Sequence, residues 1–124
     1  MTFTPALTII LPWPDAALSP NSRGRWAKIK EVTAARLAAY AATMDQIHWI
    51  AKPMPAGVMM RVTFHRPNNR RMDLDNLVGR CKAYQDGIFS ALGWDDALIV
   101  EARYIMGQVI PEGSVCMTIE VENE

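Results

Sequence analysis

The chain is poor in the residues that build covalently or metal-stapled scaffolds. Cys81 and Cys116 are its only cysteines; they form no CxxC pair and no ligand cluster accompanies them. A disulfide framework or structural zinc site is therefore not expected, and both thiols read as small buried hydrophobes. No apolar run approaches the ~18–20 residues needed to cross a bilayer. Leu7–Leu11 is too short for a signal-peptide core and no basic residue precedes it. A soluble, intracellular setting with no membrane partner is expected. There is no glycine or proline period, internal repeat, low-complexity tract or dividing linker. With 124 residues, half of them apolar, the chain reads as one domain over 1–124. A domain of that size buries roughly two-thirds of its unfolded surface, which excludes disorder.

Net charge is also absent, since thirteen basic residues cancel thirteen acidic ones. Their order is uneven. Residues 1–72 carry ten basic against three acidic side chains, and residues 73–124 carry three against ten, so a half at +7 meets a half at −7 between Arg71 and Asp73. A polyanion-binding surface beside a carboxylate-rich site has this pattern, as do two ordinary solvated faces.

Leu7–Leu11, rich in branched residues and ended by Pro12-Trp13-Pro14, reads as a first strand. Turn signals fill 15–25. From Trp26 to about Ile50, Ile29, Thr33, Leu37, Tyr40, Met44 and Ile47 recur at steps of three and four, the spacing of an amphipathic helix. Pro53 and Pro55 stop it. Val58, Met60, Val62 and Phe64 alternate with Met59, Arg61, Thr63 and His65 as a second strand with one buried face. A second helix is expected from about Asp75 to Leu92, with Leu77, Cys81, Tyr84, Ile88 and Leu92 on its buried stripe and Gly93 as its stop. Ala97–Met106 reads as a strand with Leu98, Val100, Ala102 and Tyr104 inward. Ser114–Glu122 follows, with Val115, Met117, Ile119 and Val121 inward and Pro111-Glu112-Gly113 as a hairpin turn between the two. The order β-α-β-α-β-β predicts an α+β domain with helices on a small mixed sheet.

The chemistry concentrates in Arg70-Arg71-Met72-Asp73-Leu74-Asp75-Asn76-Leu77. In extended chain Asp73 and Asp75 point to one side, and two ionised carboxylates that close call for a cation. Mg²⁺ suits them, because it takes oxygen ligands and often needs one or two protein carboxylates plus phosphate oxygens. The competing reading of Asp75 is a helix N-cap, and that of Asp95-Asp96 a polar turn before a strand. A helix of ~18 residues is about 27 Å long, so Asp96 approaches Asp73 only if the chain after the helix runs back alongside it or enters the sheet beside the second strand. Asp75, Lys82 and Asp86 fall near one helical face. Lys82 there could stabilise charge on a phosphate or form a simple i,i+4 pair with Asp86. Arg23, Arg25, Lys28, Lys30, Arg66, Arg70 and Arg71 supply phosphate-binding charge. Trp26 could stack on unpaired bases, although Trp13, Trp26, Trp49 and Trp94 read more readily as core or dimer contacts. His65 is read as an outward strand residue rather than a phosphate contact, and His48 as structural. Met59, Met60 and the alanines of the first helix are read as packing or dimer surface.

Leu11-Pro12-Trp13-Pro14, Asn21–Arg25 (NSRGR), the RRMDLDNL segment and Trp94-Asp95-Asp96-Ala97 occur in an order, and over most of a chain of a length, that resembles the RusA-type Holliday junction resolvases, small endonucleases common in phages and prophages. DLDNL and DDA are the specific pieces. The resemblance implies an intertwined homodimer that binds a four-way DNA junction and cuts two opposing strands symmetrically with Mg²⁺ (Mn²⁺ as a substitute). The cell compartment it implies is the cytoplasm of a bacterial or phage-infected cell. Its metal-binding aspartates correspond to Asp73, Asp75 and Asp96, which with Lys82 form the expected catalytic set. One departure stands out: the family's lysine one turn beyond DxDN falls on Gly79, leaving Lys82 or Arg80 for that role. The remaining alternatives are a catalytically silent nucleic-acid-binding protein and a metal-dependent nuclease of forks or flaps.

Overall fold

The computed structural model describes residues 2–20, 24–47 and 53–123. Strand β1 (Phe3–Pro12) is followed by a 3-10 turn (Ala16–Leu18) and helix α1 (Arg25–Ile47). Strand β2 (Val58–His65) leads to helices α2 (Leu74–Arg80) and α3 (Lys82–Leu92). A second 3-10 turn (Asp96–Leu98) precedes β3 (Ile99–Met106), and β4 (Ser114–Glu122) closes the chain. The four strands form one mixed sheet in the order β1-β4-β2-β3. β4 is antiparallel to both β1 and β2, whereas β2 and β3 are parallel and joined through α2 and α3. The α+β class follows from the sequence pattern.

The alternation in β2 and β4 translates directly into burial. Val58, Met60, Val62 and Phe64 from β2, Val115, Met117 and Ile119 from β4, and Leu7, Ile9 and Leu11 from β1 form the sheet side of the core. The stripe Leu77, Cys81, Tyr84, Ile88 and Leu92 covers it from above. Gly93 ends α3 with φ 72°, a left-handed conformation that glycine adopts without the Cβ penalty. The Tyr84 hydroxyl donates to the Pro12 carbonyl at 2.8 Å and fixes the exit of β1. Cys81 is buried, and burial pushes its thiol up to about 12, so it is an inert core group; Cys116 is half-buried.

Four expectations are corrected. First, the last two strands are not a hairpin. β4 inserts between β1 and β2, and 107–113 crosses the end of β2 with Gly107 N donating to Phe64 O and Ile110 N to Arg66 O. β4 buries Val115, Met117 and Ile119 fully and takes a neighbour on each side, while β3, with Glu101 and Arg103, is left at the edge. The Pro111-Glu112-Gly113 signal makes a local turn, closed by Gly113 N to Ile110 O. Second, β3 starts later than Ala97, a register shift opposite Val58/Met59 displaces Val100, and at the sheet edge Val100, 56% exposed, and Ala102 are both exposed instead of inward.

Third, the second helix is two. At Cys81 the backbone (φ −92°, ψ 0°) tightens to an i→i−3 bond from Cys81 N to Val78 O, so α2 ends and α3 begins. Fourth, the buried face of α1 is turned by about a quarter-turn from the stripe its large residues mark, with Ile47 on both. Ala35, Ala39, Thr43 and Ile47 point inward, whereas Ile29, Leu37 and Tyr40 are exposed, Leu37 by 64%. Close helix approach explains it: α3 presents Gly87 to α1, and a Cβ there would overlap the Arg36 carbonyl oxygen and lie 3.0 Å from Ala39 Cβ. Only small residues fit the contact. Among the described residues no helix is long and apolar enough to cross a membrane.

Candidate active site

β2 ends at His65, whose ring Nδ1 lies 2.8 Å from the Gln108 carbonyl, a structural contact of the strand end. The next residues form a braced loop. Arg66 Nη1 donates to the Arg70 carbonyl at 3.0 Å, and Asn68 Oδ1 accepts from Arg70 N at 2.9 Å. Arg66 thus braces the loop through one of its donors, while Arg70 and Arg71 project from it, exposed and without an ion pair among the described residues.

Helix α2 begins at Leu74, so Asp73, not Asp75, occupies the cap position. Its backbone is extended (φ −74°, ψ 132°), its carbonyl accepts from Leu77 N, and its side chain makes no cap hydrogen bond. Aspartate at this position ordinarily turns its carboxylate onto the helix amides; here the exposed carboxylate is left uncommitted. Asp75 lies in the first turn, exposed, with Oδ1 accepting from Asn76 N at 3.1 Å. The side-by-side placement expected of an extended chain therefore does not apply to the pair. Asn76 is anchored elsewhere, through Ser19 Oγ at 2.7 Å, which ties the segment after β1 to α2.

Asp95 and Asp96 divide their roles. Asp95 caps the second 3-10 turn, its Oδ1 accepting from Ala97 N at 2.8 Å. Asp96 reaches Lys82: the chain after α3 runs back along that helix and sets Asp96 Oδ2 3.0 Å from Lys82 Nζ, with Gln85 Nε2 at 3.5 Å. Lys82 Nζ is also 3.0 Å from Asp86 Oδ1, and Asp86 Oδ2 is 3.6 Å from Arg36 Nη2 on α1. The i,i+4 pair of Lys82 with Asp86 forms, and Lys82 makes a tertiary contact with Asp96 as well. Hydrogen bonds that Lys82 donates to Asp86 and then to Asp96 raise its pKa, and the hydrogen bond from Lys82 lowers that of Asp96. The break at Cys81 interrupts the continuous face that Asp75 was expected to share with Lys82 and Asp86.

Among the described residues no three His, Cys, Asp or Glu side chains form a metal-holding group, so Asp96 stands with Lys82 rather than beside the DLDN carboxylates. The donor chemistry at Asp73 and Asp75 nevertheless fits a hard divalent cation. Both are exposed oxygen donors, Asp73 is free of a capping bond, and such an ion needs only one or two protein carboxylates when phosphate oxygens complete its shell.

Arg25 and Lys30 are exposed on the first turns of α1, and Lys28 donates to the Ser19 carbonyl at 3.4 Å. Arg23, with the rest of 21–23, lies outside the described residues, as do His48 and Trp49. Trp26 is 81% exposed, so it belongs to neither core nor helix contact. Trp94 is buried and Trp13 packs edge-on against Phe64.

No family model matches the chain. It is 35% identical over 121 residues to the crossover junction endodeoxyribonuclease RusA of Escherichia coli K12, covering 94% of this chain and 97% of that protein. It is 35% identical over 120 residues to the crossover junction endodeoxyribonuclease of Enterobacteria phage 82, covering 94% and 96%. An uncharacterized protein of Xylella fastidiosa is 36% identical over 116 residues, 90% of this chain and 74% of that one. The chain belongs to the RusA family.

For a RusA-family chain the glycine at 79 now has a physical reason. A Cβ at that position would overlap Pro20 Cγ and lie 2.7 Å from Pro20 Cδ, so the segment after β1 packs where a side chain would start. Arg80 turns away toward the Pro14 carbonyl, Nη1 at 3.4 Å. Lys82 is the cation left facing an aspartate of the WDDA motif. Lys28, Arg80 and Lys82 share a cavity of about 340 Å³ with Asp86, Leu18 and Pro20. The Lys82–Asp96 contact joins residues fourteen apart through a turn the sequence pattern does not encode. The i,i+4 spacing to Asp86 marked Lys82, but no sequence pattern paired it with Asp96.

Proposed function

We propose that this protein is a Mg²⁺-dependent endodeoxyribonuclease that resolves four-way DNA junctions in recombination and repair, acting as a homodimer that hydrolyses two opposing phosphodiesters. Mn²⁺ would substitute for Mg²⁺. The reading is supported by RusA-family membership, and the observation that carries it is the Asp73 carboxylate, held at a helix start without serving as its cap. A two-fold protein matches a two-fold substrate.

Asp73 and Asp75 would hold the cation. When bound, it supplies charge neutralisation at the scissile phosphate and a water acidic enough to attack it. Arg70 and Arg71 on the braced loop bind flanking phosphates and set the register of the backbone over the aspartates. Arg25, Lys28, Lys30 and Trp26 extend that surface along α1, Trp26 offering a ring for an unpaired base at the branch. Lys82, kept protonated by its two carboxylates, stabilises charge developing on the phosphate. Asp96 is the third carboxylate of the set, and in this arrangement it holds the Lys82 ammonium in place. No base-reading motif stands among these groups, so recognition rests on the positions of phosphates across the arms.

The test offers a synthetic four-way junction, a fork and a linear duplex to the full chain with Mg²⁺, beside Asp73→Asn. The reading expects paired cuts in the junction and little cutting of the duplex. The variant should lose cleavage while keeping or tightening junction binding, because one repelling carboxylate is gone. Junction binding without cutting by the parent would indicate a silent binding module. Equal cutting of all three substrates would indicate a nuclease of other structures.

A further inference from the structure

Among the described residues β3 is an edge strand paired with β2 alone, and a bare edge is a template for another strand. Its middle reads Glu101-Ala102-Arg103, all exposed. The sheet face away from the helices carries charge in two unbalanced rows. In one row Arg61 of β2 stands opposite Arg103 of β3. In the next, Met59 lies between Glu120 of β4 and Glu101 of β3, so the two acids have no base across the strands there. The available bases lie along or across the rows: Arg103 Nη2 is 3.5 Å from Glu101 Oε1, and Arg61 Nη2 is 3.7 Å from Glu120 Oε2. Like charges directly opposite in a sheet are unfavourable.

We propose that β3 pairs antiparallel with β3 of a second copy about a two-fold axis at Ala102, joining the two sheets into one of eight strands. That axis sets Glu101 of each copy against Arg103 of the other. It adds a carboxylate to the arginine row and a guanidinium to the glutamate row, and pairs exposed Val100 with Tyr104 and Ile105 with Ile99. An axis at residue 101 or 103 would face Glu with Glu or Arg with Arg, so the charges select one register. Their net neutrality favours a protein partner over a polyanion. The inference supplies a surface for the dimer in the function proposed above. Its readout is assembly, so its failure leaves the cleavage test standing, and a failed cleavage test leaves it untouched.

Sedimentation velocity of the full chain over a micromolar dilution series tests the pairing. The parent should be a dimer. Glu101→Arg and Arg103→Glu alone each turn both cross-pairs repulsive and should weaken association at least about tenfold, with an unchanged far-ultraviolet circular dichroism spectrum because both side chains are exposed in the single chain. An equimolar mixture of the two variants should recover the dimer, since the basic positions of one chain then face the acidic positions of the other. Both variants have like charges within their own strand, so repair of an intrachain pair does not produce that result. A monomeric parent, single variants that stay dimeric, or a mixture that stays monomeric would overturn the proposal, the second by placing the interface elsewhere, as on the exposed Leu37 face of α1.

Discussion

Gly87→Ala tests the helix contact that sets the whole α1/α3 layer. The added methyl would overlap the Arg36 carbonyl oxygen and sit 3.0 Å from Ala39 Cβ, whereas carbon–carbon contacts settle at about 3.5–4.0 Å. The helices must part by roughly 0.5–1 Å. Because the obstacle is backbone, no rotamer change relieves it, and the cost lies at or above the upper end of the about 1–3 kcal/mol typical of overpacking. Replacing a helical glycine by alanine returns about 1 kcal/mol, which leaves a net loss of about 2 kcal/mol. For a domain of this length that is a fall in Tm of about 6–10 °C, with a lower urea midpoint at unchanged slope. The parted helices would also stretch the Arg36–Asp86 pair, which stands at 3.6 Å beside Lys82. A variant as stable as the parent, or more stable, would refute the close approach and with it the explanation of why α1 buries its alanines.

Two further outcomes follow from the site. Lys82 holds Asp96 ionised, so Asp96 contributes stability above the ordinary carboxyl value of 3.8 and loses it as pH falls through its lowered folded value. The Lys82 share is present below its ordinary 10.5 and is lost as pH rises through its raised folded value. Carboxyl-carbon NMR should show Asp96 titrating below 3.8 in the parent and returning toward it in Lys82→Met; an unmoved midpoint would deny the contact. Neutralising Arg70 and Arg71 to Gln should weaken junction binding for every sequence and flatten the log–log salt slope by about 2, and an unchanged slope would place the phosphate surface elsewhere.

Where burial follows strict local periodicity, the sequence reveals it: β2, β4 and the α3 stripe are legible from alternation and from the spacing of Leu77 to Leu92. The α1 face is not, because periodicity weighs large residues and the contact admits only small ones opposite Gly87. The position of β3 is equally hidden. A proline-glycine turn looks the same whether it closes a hairpin or sends the chain across a strand, and only the pairing of β4 on both edges decides. Within the site, the change of charge sign at Arg71/Asp73 and the DLDN run mark the loop that bears the exposed carboxylates. That Asp73 rather than Asp75 takes the cap position, and that Asp96 meets Lys82, depend on the helix start and on the return of the chain along α3, which no short motif records.

The central claim is that the DLDN aspartates hold the cation. Electron paramagnetic resonance of Mn²⁺ titrated into the full chain, with uncut junction present, measures this without reference to cleavage. The account predicts bound Mn²⁺ in the parent, its loss in Asp73→Asn and in Asp75→Asn, and its retention in Asp95→Asn, whose carboxylate already caps the 3-10 turn. Undiminished binding in the first two variants, or loss confined to the third, would contradict it.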